Sequence, residues 1–122
     1  MTMYPWGDDL RSRVGGQAQT MARISRADGP TEVGSFAPNG LALYDMTGNV
    51  WEWVQDWYQH GYYPISPEEN PRGPETGIYR VMRGGGWSDG DARILALHYR
   101  NFTDPEHRTV TIGFRCAKSV PE

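Results

Sequence analysis

The pattern of apolar and polar positions changes at residue 49. Over residues 50–57 the sequence VWEWVQDW has period two. Trp51, Trp53 and Trp57 fall on one face, with Gln55 interrupting the row, and Val50, Glu52, Val54 and Asp56 fall on the other. Aromatic and β-branched residues suit a half-buried strand, so residues 50–57 are predicted to form one; a helix pairing Trp53 with Trp57 is the competing reading. Residues 79–83 read as a second strand that runs into Gly84-Gly85-Gly86. Residues 93–102 alternate again, with Leu95, Leu97 and Tyr99 on one face and Ala96, His98 and Arg100 on the other. Residues 112–118 (IGFRCAK) read as a closing strand.

Between these segments the chain is punctuated by turn residues. Pro64, Pro67, Pro71 and Pro74, with Gly61, Gly73 and Gly77, forbid regular structure across residues 59–79. Turns are expected at 37–40 (APNG) and 47–49 (TGN), and a polar loop over 103–111. The first 36 residues carry little periodic signal. A helical turn near 17–22 and a short extended segment at 33–36 are the elements expected there.

A chain of 122 residues with 15 Gly, 9 Pro and 12% aromatic residues points to one domain over 1–122, built from large rings and many turns, with tryptophans filling the core. The net charge of −3 argues against a nucleic-acid partner, which needs a basic footprint. No apolar run approaches a membrane span, and the start, MTMYPWGDD, carries no signal-peptide pattern. A cytoplasmic protein with no membrane partner is the expectation. Cys116 is the sole cysteine, which rules out an internal disulfide and a thiolate cluster; a buried spectator thiol is expected.

Two stretches carry candidate chemistry. One is residues 43–58 (LYDMTGNVWEWVQDWY), where Asp45, Gly48, Asn49 and Glu52 form a polar turn fused to the aromatic run. Such a turn is either a stable corner, its carboxylates accepting backbone N–H groups, or a site for a cation that takes carboxylate and carbonyl oxygens together. The other is residues 88–111. His60, His98 and His107 with Asp104 and Glu106 have no spacing that would converge on a metal, and Gly84-Gly85-Gly86 lacks the lysine of a phosphate loop. Arg80, Arg83, Arg93, Arg100, Arg108 and Arg115 read as structural forks tying loops together.

Several motifs in order complete the picture: Tyr4-Pro5-Trp6-Gly7, Pro38-Asn39-Gly40, Leu43-Tyr44-Asp45-Met46, Gly48-Asn49-Val50-Trp51-Glu52-Trp53, Arg80-Val81, Arg83-Gly84-Gly85, Trp87 and Gly113-Phe114-Arg115. Together they resemble the formylglycine-generating enzyme, or sulfatase-modifying-factor, family, and match the C-terminal portion of its domain. The resemblance implies an α+β fold of the C-type-lectin-like kind, with short antiparallel strands, long irregular loops and little helix. It leaves the closing strand without its usual neighbour, so an exposed edge covered by another chain, as in a homodimer, is expected.

The resemblance also implies chemistry. The family oxidises a sulfatase cysteine with copper held by two cysteines, and the matching positions here are Asp89 and Ile94, with Gly86 in place of a serine. Neither Asp89 nor Ile94 can replace a thiolate on Cu(I), so copper chemistry is not expected. The family binds Ca²⁺ at the turn, which implies the Asp45 side chain, the Gly48 and Val50 carbonyls and the Glu52 carboxylate as ligands. Proteins diversified by retroelements use the same scaffold with variable residues near the C-terminal end. Ser88, Asp89, Gly90, Asp91, Ile94, Ala96, His98, Phe102, Thr103, His107, Thr109, Val110 and Thr111 are reachable by such mutagenesis, although ordinary drift in an exposed loop gives the same pattern. Two functions stand at this stage. One is a non-catalytic domain that binds a protein or small molecule through Asp89, Ile94, His98, Phe102, His107 and Thr109. The other is an oxidase-like enzyme, or its remnant, acting with a partner that supplies the rest of the domain.

Overall fold

The structure, a computed structural model, describes residues 2–9, 11–14, 17–20, 22–24 and 27–120, with main chain only for 11–14 and 17–20. A two-stranded antiparallel ribbon comes first, β1 (Arg11–Val14) with β2 (Gln17–Thr20). The helical turn expected near 17–22 is therefore strand over 17–20, and residue 21 lies outside the described residues. The sequence explains it: Gly15-Gly16 between two polar four-residue runs is a hairpin signal, and no apolar stripe gives a helix a face to bury.

The main sheet has four strands in the order β5-β4-β3-β6. β3 (Trp51–Trp57) is the predicted aromatic strand, β4 is Arg80–Arg83, β5 is Asn101–Thr103 and β6 is Ile112–Gly113. β3 pairs antiparallel with β4 in the register Glu52↔Arg83 and Trp53↔Met82, then shifts before Trp57↔Arg80. That irregularity bends the strand and turns its later side chains off the first register. A short 3₁₀ turn at Tyr63–Ile65 is the one helical piece among the described residues.

Three expectations are corrected. The closing segment is strand only at Ile112–Gly113, and it pairs with β3 in parallel, Trp51↔Ile112 and Glu52↔Gly113. The sheet is therefore mixed. Residues 33–34 form a turn and residue 36 a bend, so 33–36 is not a strand. Residues 92–98 fold into successive turns and 99–100 carry no regular structure, so no strand runs through 93–100. There Leu95 and Ala96 are both buried, at 0% and 3% exposure, so neighbours along the chain share one environment and the apparent alternation has no pleat behind it.

The core is small. Tyr4, Ala22, Ile24, Leu95 and Ala96 form one cluster with Trp6 packed against it, and Trp51, Val81 and Met82 are buried within the sheet. The Tyr4 hydroxyl donates to the Ala92 carbonyl at 3.1 Å, and the Leu97 N–H to the Met3 carbonyl at 2.8 Å. These bonds lock the opening residues onto the 92–97 turns. Of the five tryptophans only Trp51 is buried, and the other four are half-buried. Trp57 carries the Arg80 guanidinium 3.7 Å above its ring, a cation–π contact that covers its face. Cys116 is exposed, against expectation, because the chain leaves the sheet after Gly113 and residues 114–120 run over the surface.

Candidate functional site

The corner at residues 42–49 gathers four residues in the left-handed region. Ala42, Asp45 and Asn49 hold φ of 59°, 53° and 65°, and Gly48 holds 81°. Left-handed residues of this kind cost energy unless their surroundings fix them. Here the fixing groups are plain. The Asn49 side chain, buried, accepts from the Thr31 N–H at 2.9 Å and donates to the Thr31 carbonyl at 3.2 Å. The Asn49 N–H donates to the Arg23 carbonyl, the Gly48 N–H to that of Gly84, and the Trp87 N–H to that of Asn49, each at 2.8 Å. The corner thus joins three distant segments. Gly48 is required: a Cβ there would stand 2.7 Å from the Arg23 oxygen and from the Ile24 Cγ2.

The calcium ligands implied by the resemblance sit around this corner in two different states. The Asp45 carboxylate accepts the Gly34 N–H at 2.7 Å, which leaves it oxygen lone pairs to spare. Glu52 is held in a fork by Arg115, with Nε at 2.6 Å and Nη2 at 2.5 Å. Arg115 also donates to the Tyr44 and Asp45 carbonyls at 2.8 and 3.1 Å. The hydrogen bonds to Glu52 raise the Arg115 guanidinium above its ordinary value, with partial burial opposing them. Asp45, Val50, Glu52 and Arg115 line one cavity of about 360 Å³. The Gly48 and Val50 carbonyls accept none of the described turn hydrogen bonds. Asp45 keeps free lone pairs, both Glu52 oxygens are taken by Arg115, and Gly48 is not among the residues that line the cavity; a hard divalent cation held here would have to share Glu52 with a guanidinium. Among the described residues no three His, Cys, Asp or Glu side chains gather, so carbonyls and water would supply the remaining oxygens.

The second candidate region is held together by carboxylates bonding main-chain amides. Asp89 Oδ2 accepts the Gly86 N–H at 2.8 Å, and the Asp89 N–H returns to the Gly86 carbonyl at 3.0 Å. Asp91 accepts the Arg93 N–H at 2.9 Å and pairs with the Arg93 guanidinium at 2.7 Å. These hydrogen bonds from Arg93 lower the Asp91 carboxyl to about 2. The Asp91 carbonyl accepts from Ile94 and Leu95, which closes the turn that sends Leu95 into the core. Ile94 is half-buried and His98 exposed. Phe102 lies on β5, across the sheet, stacked on Tyr58. His107 and Thr109 are exposed on the 103–111 loop.

The structure places Asp89 and Ile94 on the turns that follow Gly86, His98 a little further on, and His107 and Thr109 on the loop after β5, and sets Phe102 apart on an edge strand. None of the six lines a described cavity. Ala96, counted among the free positions, belongs to the core. Two features had no signal in the sequence. One is a cleft of about 780 Å³ along β3, with Trp53, Val54, Arg115 and Ala117 among its lining residues. It opens because residues 114–120 run past β3 without continuing the β6 ladder. The other is a ring cluster of Tyr58, Tyr79 and Phe102 that only the strand order β5-β4-β3 assembles.

Short strands, a curled mixed sheet, scarce helix and a site carried on turns define a C-type-lectin-like domain of the formylglycine-generating kind. The chain belongs to the sulfatase-modifying factor enzyme 1-like domain family, whose model matches residues 1–120. It is similar to serine/threonine-protein kinase pkn1 of Chlamydia pneumoniae, 41% identical over 96% of this chain and 18% of that protein. It is also similar to the formylglycine-generating enzyme of Streptomyces coelicolor, 36% identical over 96% of this chain and 40% of that one. The chain thus spans less than half the length of either relative. Among solved structures, Treponema denticola variable protein 1 matches with a TM-score of 0.69 and 34% identity, over 77% of this chain and 34% of that one. Among the described residues no helix is long and apolar enough to cross a membrane.

Proposed function

We propose that this chain is a non-catalytic binding module on a formylglycine-generating-enzyme-like scaffold, whose loops over 88–111 take a protein or small-molecule ligand. One observation carries the reading. At the positions where the resemblance implies a copper-binding cysteine pair stand Asp89 and Ile94, and the Asp89 carboxylate is already committed to the Gly86 amide. A thiolate pair is replaced by a turn-closing hydrogen bond and a half-buried aliphatic chain, neither of which can hold Cu(I). The likeness to a variable protein, and to enzymes many times longer than the matched region, supports use of the scaffold as a carrier of loops. A homodimer that covers the open edge beside β6, and a cytoplasmic setting, belong to the same proposal.

Calcium would serve this module as a brace, not a reagent. Asp45 and Glu52, with the Gly48 and Val50 carbonyls, would hold it, and its fixed charge would secure the corner that supports the loops.

The test is direct. Cu(I) is offered to the wild-type chain and to the Asp89→Cys/Ile94→Cys double variant in competition with a chromogenic chelator, and both are incubated with a sulfatase-type cysteine peptide in air. The expected result is no copper withdrawn by the wild type, a gain by the double variant, and no formylglycine from the wild type by mass spectrometry. Formylglycine made by the wild-type chain, alone or with the longer polypeptide of a relative, would establish the enzyme reading instead.

A further inference from the structure

One cavity holds a carboxylate that the chain leaves open. Asp45, Val50, Glu52 and Arg115 share their cavity of about 360 Å³ with Val33, Tyr44 and Phe114. Glu52 is committed there, since both its oxygens are taken by the Arg115 fork. Asp45 is bonded on one side only. Its Oδ2 accepts the Gly34 N–H. Its Oδ1 accepts none of the described hydrogen bonds and is not a buried atom left without a partner, so solvent reaches it. The ion pairs among the described residues use Asp28, Asp91 and Glu52, and Arg115 acts on the Asp45 carboxylate through space without pairing with it. With Glu52 and Arg115 cancelling, the cavity keeps one negative charge.

The residues around that charge are apolar and within reach of solvent. Val33 is 80% exposed, Tyr44 45% and Phe114 75%, and none of the three belongs to the core cluster. Two rings and a carboxylate lining one cavity are the composition that recognises an organic cation, because aromatic faces attract positive charge while covering an apolar body. The volume lies at the small end of cavities that take free ligands.

We propose that this cavity binds a small free amine, with its ammonium on Asp45 Oδ1 and its apolar body against Val33, Tyr44 and Phe114. One net negative charge matches one ammonium, and apolar walls match a body that a hydrated inorganic ion lacks. Val50 also lines the cavity, and its carbonyl accepts none of the described turn hydrogen bonds, so it offers a second acceptor to a head group with three donors. Ca²⁺ at the corner would claim the same carboxylate, so the two cations exclude one another. No residue of 88–111 lines this cavity. The copper and cysteine-peptide assays can therefore hold while this proposal fails, and the reverse.

The ¹⁵N-labelled chain, kept in a calcium chelator, is titrated with n-hexylammonium chloride, with 1-hexanol and with ammonium chloride at matched ionic strength. The signal followed is the Gly34 N–H, which bonds to Asp45. Hexylammonium is expected to shift it saturably with a Kd on the order of 1–10 mM, hexanol to bind about tenfold more weakly, and ammonium chloride to give no saturable shift. Asp45→Asn keeps an acceptor for Gly34 and tolerates the left-handed backbone, and is expected to abolish the preference for amine over alcohol. Phe114→Ala, exposed and outside the core, is expected to weaken hexylammonium and hexanol alike. Equal affinity for amine and alcohol, an unchanged preference in Asp45→Asn, or no saturable shift with hexylammonium would overturn the proposal. So would tighter binding of Nα-acetyl-lysine amide than of hexylammonium, which would give the cavity to a lysine of a protein partner.

Discussion

Leu95 occupies the space that any side chain on Gly85 would need. A Cβ built at Gly85 would stand 2.6 Å from the Leu95 Cδ2, and Gly85 itself holds a φ of 71°. Gly85→Ala therefore meets both a steric and a backbone penalty, about 1–3 kcal/mol together. Leu95→Ala empties the centre of the core and is expected to cost about 2–5 kcal/mol. Urea unfolding of the two variants and their double mutant checks this. The double mutant should be more stable than the sum of the singles allows, because the shortened side chain relieves the clash.

Asn49 separates hydrogen bonding from backbone conformation. Asn49→Ala loses both bonds to Thr31 and places a methyl group at φ 65°, whereas Asn49→Gly loses the bonds alone. Both should destabilise, the bonds accounting for about 1–3 kcal/mol, with the alanine variant the worse by about 1 kcal/mol. Equal stabilities for the two would show that the corner relaxes its left-handed geometry at no cost.

Asp91 gives a pH signature. Its carboxyl is lowered from 3.8 to about 2 in the folded chain, first by the side-chain hydrogen bond from Arg93. A depressed acid adds stability that is complete above its unfolded value and is lost as pH falls through the folded one. The contribution of Asp91 therefore disappears between about pH 4 and pH 2. NMR titration should place the Asp91 midpoint near the bottom of that window, and Arg93→Gln should return it towards 3.8.

For calcium, the expected outcome is a higher melting temperature with excess Ca²⁺ than with a chelator. At a hundredfold excess over the dissociation constant the stabilisation is about 2.7 kcal/mol. Asp45→Ala should abolish the shift without disturbing the Glu52–Arg115 pair. A melting temperature indifferent to Ca²⁺ would leave the corner held by its hydrogen bonds alone.

Much of the fold can be read from local sequence, and the exceptions share a cause. β3 follows from aromatic alternation, β4 from the short segment that runs into Gly84-Gly85-Gly86, and the turn at 39–43 from Asn39, whose side chain accepts the Leu41 and Leu43 amides at 2.9 and 3.0 Å. The parallel register of β6, the turns at 92–98 and the exposure of Cys116 depend on partners far along the chain, which periodicity does not encode. The same holds for the candidate site. The corner was legible because its residues are contiguous; the cluster of rings beside Arg100 was not, because it draws on residues 58, 63, 79 and 102. Arg100 read as framework and Phe102 as free surface, and neither pattern showed that both stand against Tyr58.

The Arg115–Glu52 fork joins residues 63 positions apart in the chain. β6, which delivers Arg115, contributes two residues of parallel pairing to β3. Closing so long a loop for so short a ladder favours late formation in folding and early release on warming. The aromatic strand and its antiparallel neighbour can zip first. The acidic side of the corner then stays unneutralised until the last segment arrives, so the order of assembly makes that corner a report on whether the whole domain has closed.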